Sequence, residues 1–218
     1  MSTSNMTSIQ ATPISIGHFL KTGTQGLHRE VEGTLSKILF HRDLTAQVYL
    51  QVLMAMQAAY ASMERAMLSF PESKAAYKNR SKQAFINNDI AYMEQALLDL
   101  KRDISTRASN KDDLTHHVKS NVELHSTAQA MGMMYVLEGA TLGGEHIQAR
   151  LTRHDWLDIQ HGVAFFNSYQ EQRMVRWGEF LTVLQQYYER NPDDCDEIMQ
   201  GAELAFECIH DCLEGISL

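Results

Sequence analysis

Apolar positions recur along the chain at three- and four-residue spacing, the signature of amphipathic helices, and β-branched runs are few. Pro13 and Ser15 can open a first helix that runs to about Phe40, with His28, Val31, Leu35 and Ile38 or Leu39 on its inner face. Asp43 is the expected N-cap of a second helix, whose stripe of Tyr49, Leu50, Leu53, Met56, Tyr60, Met63 and Met67 stops before Pro71. A short helical stretch follows, then a longer one over Asp89–Thr106 with Ile90, Met93, Leu97, Leu100 and Ile104 inward. Ser109–Asn121 is polar and reads as a loop or short helix. Ser126 can cap a helix that continues to about Arg153. Met174, Trp177, Leu181, Leu184 and Tyr188 then mark another core face, with Arg173 and Arg176 beside it. Asn191-Pro192 starts a last helix that buries Ile198, Ala202, Ala205, Phe206 and Ile209.

The segment Met131–His146, MGMMYVLEGATLGGEH, breaks the usual rules of helix composition. Val136, Ala140, Gly143, Ile147 and Leu151 keep helical spacing straight through Gly139, Gly143 and Gly144, so the glycines are expected inside one helix. Each interior glycine costs about 0.8–1.0 kcal/mol relative to alanine, roughly 2–3 kcal/mol for the three together. Gly132, Tyr135, Gly139, Gly143 and His146 share one strip whose middle has no side chains. A flat ligand or a second helix can lie against that bare backbone, or the glycines can mark a kink without a function.

Composition narrows the class. The chain has 218 residues, only three prolines and 12 glycines, and no Gly/Ser/Pro-rich linker, so an all-α single domain over residues 14–218 with a tail at 1–13 is expected. A net charge of −8 argues against general nucleic-acid binding, which needs a basic surface. No apolar run approaches a membrane span, and MSTSNMTSIQATP lacks the cationic and apolar regions of a signal peptide; the expectation is a cytoplasmic protein with no membrane insertion. Cys195, Cys208 and Cys212 are odd in number and lack a CxxC pair, which suits reduced packing residues better than a disulfide or zinc site. His116, His117 and His125 have no ligand-spaced partners and read as surface histidines.

Chemistry concentrates in two places. His28 lies on a helix with Glu32 four residues on, a spacing at which a carboxylate can orient a metal-bound imidazole. Glu207 and His210 form an E-x-x-H, but a di-metal carboxylate site needs a second such motif and further glutamates.

Taken together, LKTGTQGLHREVE at 20–32 and YVLEGATLGGEHI at 135–147 resemble heme oxygenase, most closely its bacterial, biliverdin-producing branch. Lys21, Thr24, Leu27, His28 and Glu32 stand at the family's spacing around its ligand histidine, and Gly139, Gly143 and Gly144 match its G-x-x-x-G-G distal pattern. The resemblance implies a helical bundle with heme, both substrate and cofactor, held between the first helix and a glycine-kinked distal helix. It implies His28 on the iron, Glu32 behind it, and Gly139 and Gly143 as the catalytic backbone wall over an open oxygen site. The products would be biliverdin, CO and ferrous iron, with electrons from a partner such as a ferredoxin or reductase. Lys21 is carried over as a propionate partner by its motif position, and Arg173 and Arg176 are added by proximity in sequence. Tyr135 and Gly144 complete the expected heme contacts. Where many family members carry an Asp after the first distal glycine, this chain has Ala140, which leaves ordered water, Tyr135 or His146 for proton delivery. Ala140 also keeps open a second possibility, a heme-binding carrier or sensor without turnover.

Overall fold

A computed structural model describes residues 15–104, 121–158, 160–216 and 218. Its regular secondary structure is helical throughout those residues: α1 (Ile16–Gly23), α2 (Gln25–Leu39), α3 (Ala46–Met67), α4 (Pro71–Ala76), α5 (Gln83–Ile104), α6 (Thr127–Gly139), α7 (Gly144–Leu151), α8 (Arg173–Arg190) and α9 (Cys195–Leu213). The expected tail, and all but the last residue of the polar stretch at 109–121, lie outside the described residues.

The centre of the bundle is α6. Its residues Ala128 to Leu137 are buried on every side except at Tyr135, as expected of a helix apolar all round. Ser126 caps it as the sequence predicts, accepting from Gln129 N at 3.2 Å. Packing against α9 is backbone to backbone: a Cβ on Gly132 would stand 1.8 Å from Ile198 O, and one on Gly201 1.9 Å from Gln129 O. Gly132 therefore serves a helix crossing, the second of the two uses the bare strip allowed. α3 covers another side with its predicted stripe, from Tyr49 to Met67, fully buried.

Several boundaries differ from the periodicity. The first helix divides at Thr24, whose hydroxyl donates to Leu20 O at 2.8 Å while its ψ opens to 3°. The N-cap of α3 is Thr45, which accepts from Val48 N, and Asp43 instead pairs with Arg42 outside the helix. α5 begins at Gln83 rather than Asp89 and turns Ile86, Asp89 and Met93 inward, leaving Leu100 exposed. In α8 the inner face is Trp177, Phe180, Leu184 and Tyr187, whereas Met174 is 67% exposed. Trp177 and Leu184 belong to both stripes, so spacing alone left the two faces degenerate. A short 3-10 turn over Pro192–Asp194 precedes α9, moving its cap from Asn191 to Asp194.

The long connection between α7 and α8 is held by a buried carboxylate. Asp89 accepts from Ala164 N at 2.9 Å and Phe165 N at 2.7 Å, and burial pushes its carboxyl from 3.8 up to about 6. A raised folded-state value means that this group's contribution is fully present below the unfolded value and is lost as pH rises through about 6. The stability advantage of the native chain over Asp89→Asn should thus shrink between pH 4 and 6, as read by denaturant melts across that range. In a separate set of melts, Gly132→Ala should lose about 1–3 kcal/mol or more, since its methyl meets backbone that cannot move aside.

Candidate active site

A cavity of about 620 Å³ opens between α1 and α2 on one side and the α6–α7 segment on the other, closed by Trp177 of α8 and by Phe206 and Ile209 of α9. Its volume falls within the roughly 300–1,000 Å³ typical of small-molecule sites. His28 lines it. The imidazole is 62% exposed rather than in line with the core as the periodicity placed it: Val31, Ile38 and Leu39 take the buried stripe, and the polar ring sits on its flank. Two neighbours orient the ring. Phe206 meets it edge-on with centroids 5.9 Å apart, and Glu32 Oε2 lies 3.5 Å from Nδ1. A proton on Nδ1 facing that carboxylate leaves Nε2 as the nitrogen with a free lone pair.

The opposite wall is main chain. The helix tightens into a 3-10 turn over Ala140–Gly143 before resuming as α7, so the single uninterrupted helix expected to Arg153 is instead two helices joined by this turn. The Thr141 hydroxyl donates to Glu138 O at 2.7 Å and secures the tightening. A Cβ added to Gly143 would meet nothing within 4 Å, because it would project into open space. One on Gly139 would come 3.6 Å from the Trp177 ring, in ordinary contact.

Lys21, His28, Glu32, Tyr135, Gly139 and Gly143 all line the cavity, so the structure brings together six of the residues singled out from the sequence. Ala140 and His146 line it too. Tyr135 stacks obliquely on Trp177 with centroids 5.3 Å apart, and burial raises its hydroxyl above the ordinary tyrosine value. Three residues are placed elsewhere. Gly144 is buried behind the wall, where a Cβ would stand 1.6 Å from Phe166 O, so its role is close packing. Arg173 reaches Glu145 at 3.0 Å, and Arg176 lies over the Tyr169 ring at 5.6 Å and beside Glu179; neither lines the cavity, because local carboxylates and an aromatic face hold them.

Sequence reasoning passed over Arg29, which lines the cavity together with Gln25. The signal was available: Lys21, Gln25, Arg29 and Glu32 follow His28's face at helical spacing. A larger omission lies just behind the glycine wall. Glu138 is 0% exposed, and its carboxylate accepts from Arg80 at 2.5 Å, Lys82 at 2.8 Å and the Tyr169 hydroxyl at 2.9 Å. Burial lowers the Lys82 ammonium below 10.5 against the pull of Glu138. The clue was one acid inside the apolar run MGMMYVLEG, since an unpaired buried carboxylate is not tolerated. At Glu207 and His210, by contrast, His210 faces Glu30 at 3.6 Å, and among the described residues no three His, Cys, Asp or Glu side chains gather as a metal site. None of the described helices is long and apolar enough to cross a membrane.

The two adjacent glycines should separate on substitution. Gly144→Ala should destabilise by about 1–3 kcal/mol or more through overpacking, while Gly143→Ala should melt at or above the native temperature and still obstruct ligand uptake. Thermal melts paired with a hemin titration check both.

The chain matches the heme oxygenase family over residues 15–215. A heme oxygenase of Xanthomonas campestris pv. campestris is 35% identical over 88 residues, which are 40% of this chain and 52% of that protein, so the match spans about half of that relative's length. The fold is similar to that of the NO- and CO-bound heme oxygenase from Neisseria meningitidis, with a TM-score of 0.57, 18% identity, and coverage of 94% of this chain and 92% of that one. It is also similar to heme oxygenase from Leptospira interrogans, with a TM-score of 0.60, 17% identity, and coverage of 92% and 98%. With the family matched from the start of α1 to beyond the end of α9, this protein belongs to the heme oxygenase family.

Proposed function

We propose that the chain is a heme oxygenase in activity as well as family, opening heme to biliverdin, CO and ferrous iron with electrons from a ferredoxin or reductase. The observation that carries this reading is the pairing of an accessible imidazole on one wall with a side-chain-free backbone on the other, across a cavity of about 620 Å³. Heme fits the residues present: a nitrogen ligand for iron, an apolar floor of Phe206, Ile209 and Met56, and cations at Lys21 and Arg29 suited to propionates. Bound there, the iron supplies oxygen activation, and the protein supplies orientation and electrostatics.

His28 would hold the iron through Nε2, with Glu32 beside Nδ1 fixing the tautomer. The Glu32 pair adds little stability at this exposure, so its effect is on ring orientation and ligand basicity. Gly143 keeps the far side open for a small diatomic molecule, since any larger residue would project a side chain into that space. Trp177 and Tyr135 exclude bulk water from that side. The Tyr135 hydroxyl is a hydrogen-bond donor on the glycine wall where Ala140 offers none.

The Ala140 position favours one competing reading, a carrier that holds heme without cutting it. Hemin, a reductant and oxygen separate the two: bilin formation with loss of the Soret band supports the oxygenase, and a persistent Soret band without bilin supports the carrier. Substituting the exposed His28 by alanine should change stability by no more than about 0.5 kcal/mol. The same change should abolish the native axial-ligand spectrum and bilin formation. Unchanged spectra and bilin yield in His28→Ala would refute the assignment.

A further inference from the structure

The strap between α4 and α5 carries two cations into the core, Arg80 and Lys82, both buried. Lys82 is consumed locally: its ammonium donates to Arg80 O, to Glu138 and to the Tyr169 hydroxyl. Arg80 does something different. Its Nη1 donates to Glu138 Oε2 at 2.5 Å and to Arg176 O at 3.1 Å, and its Nη2 reaches Glu179 Oε2 at 3.4 Å. One planar fork thus ties the residue before Gly139 on α6 to the residue before Trp177 on α8. Those two neighbours, Gly139 and Trp177, both line the cavity, and a Cβ built on Gly139 would come 3.6 Å from the Trp177 ring.

We propose that Arg80, anchored by Glu138, is a positioning residue that sets the gap between Trp177 and the glycine backbone of the cavity. A lysine at this point would keep the charge against Glu138 but lacks the planar fork, so it cannot place one nitrogen between Glu138 and Arg176 O and a second on Glu179. Glu138 fixes the α6 end, because each of its oxygens accepts from a cation and it has no route to solvent. The role deepens the heme oxygenase reading, on which its turnover measurement rests; the fluorescence measurement below does not depend on it.

The chain has two tryptophans, and Trp156 packs apart from the cavity beside Tyr49 and His154. In a Trp156→Phe background, Trp177 therefore reports the wall directly in protein without ligand. Arg80→Lys should shift its emission and raise its quenching by acrylamide while the protein stays folded by circular dichroism. With hemin added, the same variant should keep the axial-ligand spectrum of the parent and lose on the order of tenfold to a hundredfold in single-turnover rate, the scale expected of misplacement by about 1 Å. Glu179→Ala, a change at a half-exposed side chain, should move the Trp177 signal in the same direction by less. A folded Arg80→Lys protein with unaltered Trp177 emission and quenching would overturn the proposal. Should Arg80→Lys not fold, an unaltered signal in Glu179→Ala would overturn it. Failure of the parent to take up hemin would instead overturn the functional reading and leave the Trp177 comparison standing.

Discussion

Close approach to bare backbone is the constraint on which the rest of this structure depends. Midway along α6, Gly132 lets the helix touch α9 main chain to main chain, reciprocated by Gly201. At its C-terminal end and in the 3-10 turn that follows, Gly139 and Gly143 present the same bare main chain to a cavity. The first contact locks α6 in the middle of the bundle, and a rigid central helix is what allows its far end to form a fixed wall. Gly144 adds a third use, admitting the carbonyl of Phe166 from behind. The same residue type thus serves packing at Gly132, Gly201 and Gly144 and an open site at Gly139 and Gly143.

Charge is arranged with similar economy. The buried acid of α6 is one residue from Gly139 and is neutralised by Arg80 and Lys82, with Tyr169 completing its hydrogen bonds. A second buried glutamate, Glu64, accepts from Tyr77, Ser81 and the Lys82 backbone, which holds the strap that carries those cations. Buried ion pairs seldom add much net stability over apolar packing, yet removing one partner is severe, so such a cluster specifies arrangement more than it adds stability. Around the cavity itself Lys21, Arg29 and the His28–Glu32 pair come from α1 and α2 and line it beside the apolar floor.

Much of this was legible in the sequence. The helical class, the α3 stripe and the Ser126 cap followed from spacing, and the pairing of the two cavity walls came from the resemblance to heme oxygenase. What did not follow has physical causes. Periodicity cannot choose between faces that share residues, which is why Met174 was put inside and Phe180 was not considered. It also cannot tell glycine contacts with a neighbouring chain segment from contacts with open space, so Gly144 and Gly143 looked alike although one abuts Phe166 and the other nothing. Arg173 and Arg176 were near the site in sequence but were held by Glu145, Tyr169 and Glu179, partners that only the tertiary structure supplies. The Arg80–Glu138 link spans 58 residues, beyond the reach of any local pattern.

The central claim is that His28 and the glycine wall together form one heme site. It is tested most directly by titrating hemin into the purified protein and recording the iron–histidine stretch of the ferrous complex by resonance Raman spectroscopy, with and without nitrogen-15 labelling of histidine. Saturation at one heme per chain is expected, with an isotope-sensitive iron–nitrogen band that is lost in His28→Ala. No saturable uptake, or a band that survives that substitution, would contradict it.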